Sequence, residues 1–254
     1  MSKEFNEFVR GRLAPSPTGA LHLGNARSFL IAWLSVRSRD GSLLLRMEDL
    51  DHPKVKSAAA AQALEDLRWL GLDWDEGPDV GGPHAPYVQT QRIARYADAL
   101  EKLRWPGRSA GGHLLMAQTC PRDGAHGPPS NNTTQTGFIY PCVCARRDVE
   151  AGQSAPHAGE DGLRYDGHCR DRFATYEEAA ATLPPGRLPA WRFRVEPEDE
   201  TTFDDGVHGP QRERVAETTG DFVIARHAQG AGYMLAVVVD DAAMASTKCC
   251  AATT

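Results

Sequence analysis

The 254-residue chain lacks any uninterrupted run of about 18 apolar residues, the length a helix needs to cross a bilayer. Its opening residues, MSKEFNEFVRGR, are polar and charged, so no apolar leader segment stands at the start. Together these absences argue against membrane spanning and secretion and lead us to expect a cytoplasmic protein. The Asn-x-Thr matches at Asn131 and Asn132 are then chance. An excess of positive charge is missing too: 28 Lys and Arg stand against 34 Asp and Glu, a formal net charge of -6. That argues against nucleic-acid binding over the whole surface and leaves room for a local basic patch. No internal repeat is found. The six cysteines (Cys120, Cys142, Cys144, Cys169, Cys249 and Cys250) are unevenly placed. Clustered thiols in a cytosolic chain favour metal binding over disulfides.

What is present is ordinary for a globular enzyme, with 41% hydrophobic and 24% charged residues. Residues 5–13 read as a first strand. Leu23, Ala26, Leu30, Trp33 and Leu34 then repeat at helical spacing from His22 to about Arg37. SLLLRMED (42–49) is a short apolar run closing on acidic residues, as in a buried parallel strand. Val55, Ala59, Ala63, Leu67 and Leu70 predict a helix over 54–70, stopped at Gly71. Strand, helix, strand, helix opens a doubly wound α/β domain. Ile93, Tyr96, Ala97, Leu100 and Leu103 mark a third helix. Residues 105–138 are dense in Gly, Pro, Ser, Asn and Thr and read as a disordered insertion. PAWRFRV (189–195) and GDFVIAR (220–226) alternate like strands, and GYMLAVVVDDA (232–242) reads as a buried strand ending in a carboxylate pair.

The stretch RLAPSPTGALHLGNAR (12–27) carries the first chemistry. A strand–loop–helix junction offers free N–H groups and the positive end of a helix dipole, which attract phosphate. Pro15 and Pro17 stiffen the loop, Gly19 and Gly24 admit a close ligand, and His22 can donate to a phosphate oxygen. An ordinary βα turn with a capping histidine fits the spacing equally well. Farther on, Cys142-x-Cys144 and Cys169 provide three thiolates, which with one O or N ligand complete a zinc tetrahedron. Free buried thiols fit that spacing as well.

The first stretch resembles the opening signature of the glutamyl-type class I aminoacyl-tRNA synthetases, with His22–Asn25 standing where the family's His-Ile-Gly-His element lies. LLRMEDLDHP (44–53) resembles the family's second block and YMLAVVVDDA (233–242) its third. The ordered blocks cover about 10–104 and 138–243. EDLD with Leu50, and the chain's length, resemble the family's short branch, which esterifies the queuosine base in the anticodon of tRNA(Asp).

The resemblance implies a Rossmann-like parallel sheet with a small zinc-bearing insertion. It places the first half of the nucleotide-binding domain at 1–104, the insertion at 105–138, the zinc-bearing part at 139–188 and the second half at 189–254. It implies that glutamate, ATP and the anticodon region of tRNA(Asp) are the partners. Arg12 would hold the glutamate side-chain carboxylate, Ala14 and Ser16 would line its pocket, Glu48 would take the ammonium, and Tyr233 would lend its hydroxyl. His22 and Asn25 would act in catalysis; Pro15, Thr18, Gly19 and Gly24 would join them around ATP. Asp49 and Asp51 would hold loops or cap helices. Zn²⁺ would sit on Cys142, Cys144, Tyr165 and Cys169, with His168 as the alternative fourth ligand.

Past Asp241 the resemblance stops. DAAMASTKCCAATT has one lysine, Lys248, and nothing like the family's lysine loop, so the C-terminal part is expected to be missing. Three other readings remain: a discrete glutamyl-tRNA synthetase, a non-catalytic remnant that binds glutamate or nucleotide, and a nucleotidylyltransferase with a small-molecule acceptor.

Overall fold

The computed structural model describes residues 8–50, 58–104, 137–152, 164–227 and 230–249. The insertion expected at 105–138 lies outside these up to residue 136, as do Val55, Asp51, Cys120 and Cys250. The chain divides into two compact units: one from 1–96, 111–125 and 236–254, the other from 97–110 and 126–235.

In the first unit, β1 (Arg10–Leu13) pairs in parallel with β2 (Ser42–Leu45), with Arg10 opposite Ser42 and Leu13 opposite Leu45. The connection runs through α1 (Leu23–Arg37). Leu44 bridges Glu76 on the far edge of β2, and Gly11 bridges Lys248 on the far edge of β1, both in parallel. Two short segments thus extend the β1–β2 pair on both sides. The tail at Thr247–Lys248 therefore docks on the strand that opens the domain, donating its backbone N–H groups to Arg10 O at 2.9 and 3.1 Å.

Leu13, Leu43, Leu45, Met47, Leu67 and Trp74 form the core, with Ala32 and Val36 of α1 packed into it. The apolar face of α1 is not the expected one. Leu23, Leu30 and Leu34 are exposed, while Ala32 and Val36 are buried and Phe29 and Trp33 pack against the core. This helix is apolar on more than one side, and packing against β1 selects the stripe. A Cβ on Gly11 would lie 2.3 Å from Val36 Cγ2, so only glycine lets the helix approach this closely. The second expected helix appears as α2 (Ala59–Trp69), burying Ala59, Ala63 and Leu67 and stopping before Gly71. The third, α3 (Ile93–Arg104), buries Tyr96, Leu100 and Leu103 and leaves Ile93 exposed.

The second unit holds a four-stranded antiparallel sheet of β3 (Ile139–Cys142), β4 (Ala190–Phe193), β7 (Phe222–His227) and β8 (Gly230–Ala231), in that order. The strands expected at 189–195 and 220–226 are present, but β4 hydrogen-bonds to the cysteine-bearing β3 and β7 to β4, neither to β1 or β2. Phe193 stacks between Phe138 and Phe222, with ring centroids 6.5 and 5.5 Å apart. Asp221 is buried and accepts from Tyr140 OH at 2.5 Å and Val195 N at 2.8 Å. The hairpin of β5 (Thr201–Asp205) and β6 (Gly209–Glu213) is largely exposed. Short helices α4 (Arg146–Gly152), α5 (Tyr176–Ala181) and α6 (Val215–Thr218) complete the unit.

The segment expected as a buried strand at 232–242 is a helix, α7 (Tyr233–Ala243). Its buried residues, Leu235, Ala236 and Asp240, with Met244 just past its end, fall at four- to five-residue steps on one face of a helix. A continuous apolar run does not distinguish strand from helix by period, and eleven residues is helical length.

Candidate active site and cysteine centre

The loop between β1 and α1 is pinned from below. Pro15 and Pro17 are buried while Ser16 and Thr18 are exposed, and Glu48 N donates to Pro15 O at 3.0 Å. Ala14 and Gly19 are half-buried. At the head of α1, His22 is the N-cap: its Nδ1 accepts from Gly24 N at 3.1 Å, and Asn25 Oδ1 accepts from His22 N at 3.4 Å. A nitrogen that accepts carries no proton, so the neutral ring holds its proton on Nε2, free to donate to a ligand. The cap thus selects the tautomer useful to a phosphate. A Cβ on Gly24 would sit 3.0 Å from the ring's Cε1, so glycine lets the imidazole fold over the helix start.

Next to this loop lies a buried ionic cluster. Arg46, fully buried, donates from Nη2 and Nε to Glu48 Oε1 at 2.8 and 3.3 Å and from Nη1 to Asp241 Oδ1 at 2.7 Å. Both contacts to Glu48 fall on one oxygen, which leaves Oε2 for a ligand. Arg12 Nε stands 2.8 Å from the same Asp241 oxygen. Behind them Asp240, also fully buried, accepts from Arg92 Nε (2.6 Å), Tyr96 OH (2.7 Å) and Gln89 Nε2 (3.2 Å). Three arginines and three carboxylates balance, as buried charges must. Burial works against the charge on Arg46, but Glu48 and Asp241 outweigh it and raise its pKa. The same holds for Arg12 through Asp241. Glu48 goes up, because burial outweighs the pull of Arg46.

Sequence reasoning named Arg12 and Glu48 and noted the Asp240–Asp241 pair, but missed Arg46 and Arg92. The signal was present: an arginine inside the apolar run LLLRM has to be paired if that run is buried. Cys249, assigned no role, places Sγ 3.4 Å from Asp241 Oδ2. Asp49 is loop-holding as expected, accepting from Thr90 N at 2.9 Å and Thr90 Oγ1 at 2.6 Å. Tyr233 opens α7 with an exposed ring.

In the second unit the thiols of Cys142, Cys144 and Cys169 lie within 4.8 Å of one another, a set that can hold a metal ion. Cys144 Sγ is 3.5 Å from Cys169 Sγ, and Tyr165 OH is 3.5 and 3.7 Å from the sulfurs of Cys142 and Cys144. Zinc bound at about 2.3 Å to sulfur spaces its thiolates about 3.8 Å apart, so these donors fit a tetrahedron. His168 is exposed and its Nε2 is 2.8 Å from Arg172 Nη1, away from the thiols. Hydrogen bonding with Cys142 draws the Cys169 pKa down to about 6, and the same contact, with burial, pushes Cys142 up to about 12. Burial raises the Tyr165 phenol. Arg192 adds positive charge, with Nε 3.2 Å from Cys142 Sγ and its guanidinium 3.6 Å from the centre of the Tyr165 ring.

Residues 8–108 match the family of class I tRNA synthetases (E and Q), catalytic domain. Over those residues the chain is similar to a class I aminoacyl-tRNA synthetase catalytic domain. Among curated relatives, the glutamyl-Q tRNA(Asp) synthetase of Nitratidesulfovibrio vulgaris is 42% identical over 241 residues, 95% of the chain and 64% of that protein. The glutamyl-Q tRNA(Asp) synthetase of Symbiobacterium thermophilum is 44% identical over 238 residues, 93% of the chain and 63% of that protein. The chain thus spans less than two thirds of the length of these relatives. A solved glutamate tRNA ligase from Elizabethkingia meningosepticum, in complex with its amino acid, superposes with a TM-score of 0.67 at 25% identity, covering 96% of this chain and 43% of that one. Among the described residues, no helix is long and apolar enough to cross a membrane.

Proposed function

We propose that this protein is a class I aminoacyl-tRNA synthetase that activates glutamate with ATP and transfers the glutamyl group to the queuosine base in the anticodon region of tRNA(Asp). The observation that carries this reading is the pairing of Arg12 and Glu48. They are opposite charges, Arg12 on β1 and Glu48 three residues past the end of β2, joined through Asp241 and Arg46 beside the β1–α1 loop. Such a pair suits an amino acid with a second carboxylate: the Arg12 guanidinium takes the side-chain carboxylate and Glu48 Oε2 the ammonium. Ala14 and Ser16 line the same pocket.

Activation joins a carboxylate oxygen of glutamate to the α-phosphorus of ATP and releases pyrophosphate. The loop of Pro15, Thr18, Gly19 and Gly24 seats the phosphates at the positive end of α1. His22 donates from Nε2 as negative charge builds there, held in position by Asn25. No protein nucleophile is needed. Cys142, Cys144, Cys169 and Tyr165 would hold Zn²⁺, which supplies a structural cross-link between β3 and the turn at 165–169.

A second reading, a glutamate–tRNA ligase, is favoured by the likeness to the solved ligase. Glutamate-dependent ATP–pyrophosphate exchange, followed by transfer assays on queuosine-containing tRNA(Asp) and on tRNA(Glu), separates the two. Charging of tRNA(Asp) alone supports the first reading and charging of tRNA(Glu) the second. Zinc-loaded, folded protein with no exchange makes it a non-catalytic binding domain.

A further inference from the structure

We propose that Asp241 is a positioning residue that holds Arg12 at a set distance from Glu48 and so determines the length of amino acid the site accepts. The inference rests on Arg12 and Glu48 being the two ends of a glutamate pocket.

Arg12 and Glu48 are joined by a chain of three ion pairs: Arg12 to Asp241 at 2.8 Å, Asp241 to Arg46 at 2.7 Å, and Arg46 to Glu48 at 2.8 Å. One oxygen, Asp241 Oδ1, serves both arginines. The other, Oδ2, is met by Cys249 Sγ at 3.4 Å, so the carboxylate is held at both ends. Its base is equally firm. The preceding residue, Asp240, is tied to Arg92, Tyr96 and Gln89, which leaves this turn of α7 little freedom to move. Arg46 has no exposed surface and cannot swing away.

Without the Asp241 charge, Arg12 and Arg46 would be two cations sharing no anion, and Arg12, the less buried, would move outward. Glutamate and aspartate differ by one methylene, so a pocket discriminates between them only if its two charged ends stay at a set spacing. One methylene is typically worth about 10- to 200-fold.

The test compares the unaltered protein with Asp241→Asn and Asp241→Glu by amino-acid-dependent ATP–pyrophosphate exchange, with thermal melting as the folding control. For Asp241→Asn, the KM for glutamate is expected to rise about tenfold, kcat to stay within about threefold, and the preference for glutamate over aspartate to fall about tenfold. The KM for ATP should not move, since the phosphate loop does not touch Asp241. Asp241→Glu keeps the charge and displaces it by one methylene; it should lose less affinity and still shift the preference, and it carries the test if the Asn variant does not fold. A folded variant with unchanged glutamate KM and unchanged preference overturns the inference, as does a loss confined to kcat. If the unaltered protein shows neither glutamate-dependent exchange nor calorimetric binding of glutamate, the reading of the pocket itself fails, and this inference with it.

Discussion

The ionic cluster of the first unit gathers side chains from positions 12, 46, 48, 92, 240 and 241, whereas the cysteine cluster of the second draws on 142, 144, 165 and 169. The first is complete in itself: every buried charge meets an opposite one supplied by the chain. The second has three thiols and a phenol converging beside the Arg192 guanidinium, a set that can hold a metal ion. Clusters of the first kind tie distant parts of the sequence together and depend on the fold already being formed. Clusters of the second kind form from local turns and help to create the fold around them.

Removing the metal should produce the largest effect. Stripping zinc with a chelator, or replacing Cys169 by serine, is expected to cost several kcal/mol on the scale of structural zinc sites, roughly 10 kcal/mol of binding energy. Hydrogen exchange read by mass spectrometry should lose protection over 139–152 and 164–173 first and keep it over 10–47. Simultaneous loss in both segments would show that the two clusters do not stabilise separate regions.

Arg46→Met works in the opposite direction. It leaves Glu48 and Asp241 short of a buried cation and should destabilise the first unit by about 3–5 kcal/mol in urea titration, with zinc content unchanged. A loss below about 1 kcal/mol would show that the cluster is more hydrated than its burial implies.

Glu76, beside the same sheet, gives a smaller and pH-dependent effect. Burial raises its pKa, but hydrogen bonds from Tyr87, His84 and Arg10 outweigh that and the group is held below its ordinary value. A depressed carboxylate stabilises the fold above its unfolded pKa, and the contribution is lost as pH falls through the folded value. Glu76→Gln should therefore cost about 2 kcal/mol at pH 7 and approach zero well below pH 4, measured as paired melting curves across pH. A pH-independent difference would mean that its hydrogen-bonding shape matters more than its charge.

The smallest change in stability separates capping from chemistry at His22. Asparagine is a good N-cap, so His22→Asn should alter stability by less than about 0.5 kcal/mol, whereas His22→Ala should cost about 1 kcal/mol. Both should lower exchange on the order of 10²-fold, because neither supplies the Nε2 donor. Unimpaired exchange in the Asn variant would leave His22 with a capping role alone.

Much of this was legible in the sequence. The parallel β1–α1–β2 opening, α2, α3, and the strands β4 and β7 follow from apolar period and turn residues. The neighbouring thiols of Cys142 and Cys144 follow from their two-residue spacing, and Cys169, expected from the resemblance, joins them from 25 residues away. Tyr165 lies beside two of the sulfurs, while the exposed His168 is taken up by Arg172. Two elements misled for one reason: α1 and α7 are apolar on several sides, so composition does not reveal which stripe is covered, or, for α7, which period applies. The β5–β6 hairpin left no signal because its residues are mostly exposed, and alternation appears only where one face is buried.

By itself, then, the sequence determined which segments are strands and helices in the opening half, where the loop between β1 and α1 lies and that Cys142 and Cys144 share one turn, since each depends on neighbours a few residues apart. The tertiary structure alone decided that Arg46 is paired, that Asp241 stands between it and Arg12, and that the tail at 247–248 pairs with β1. Those contacts join residues about 200 positions apart. Nothing local encodes such a closure, and its formation depends on burial that only the assembled core provides.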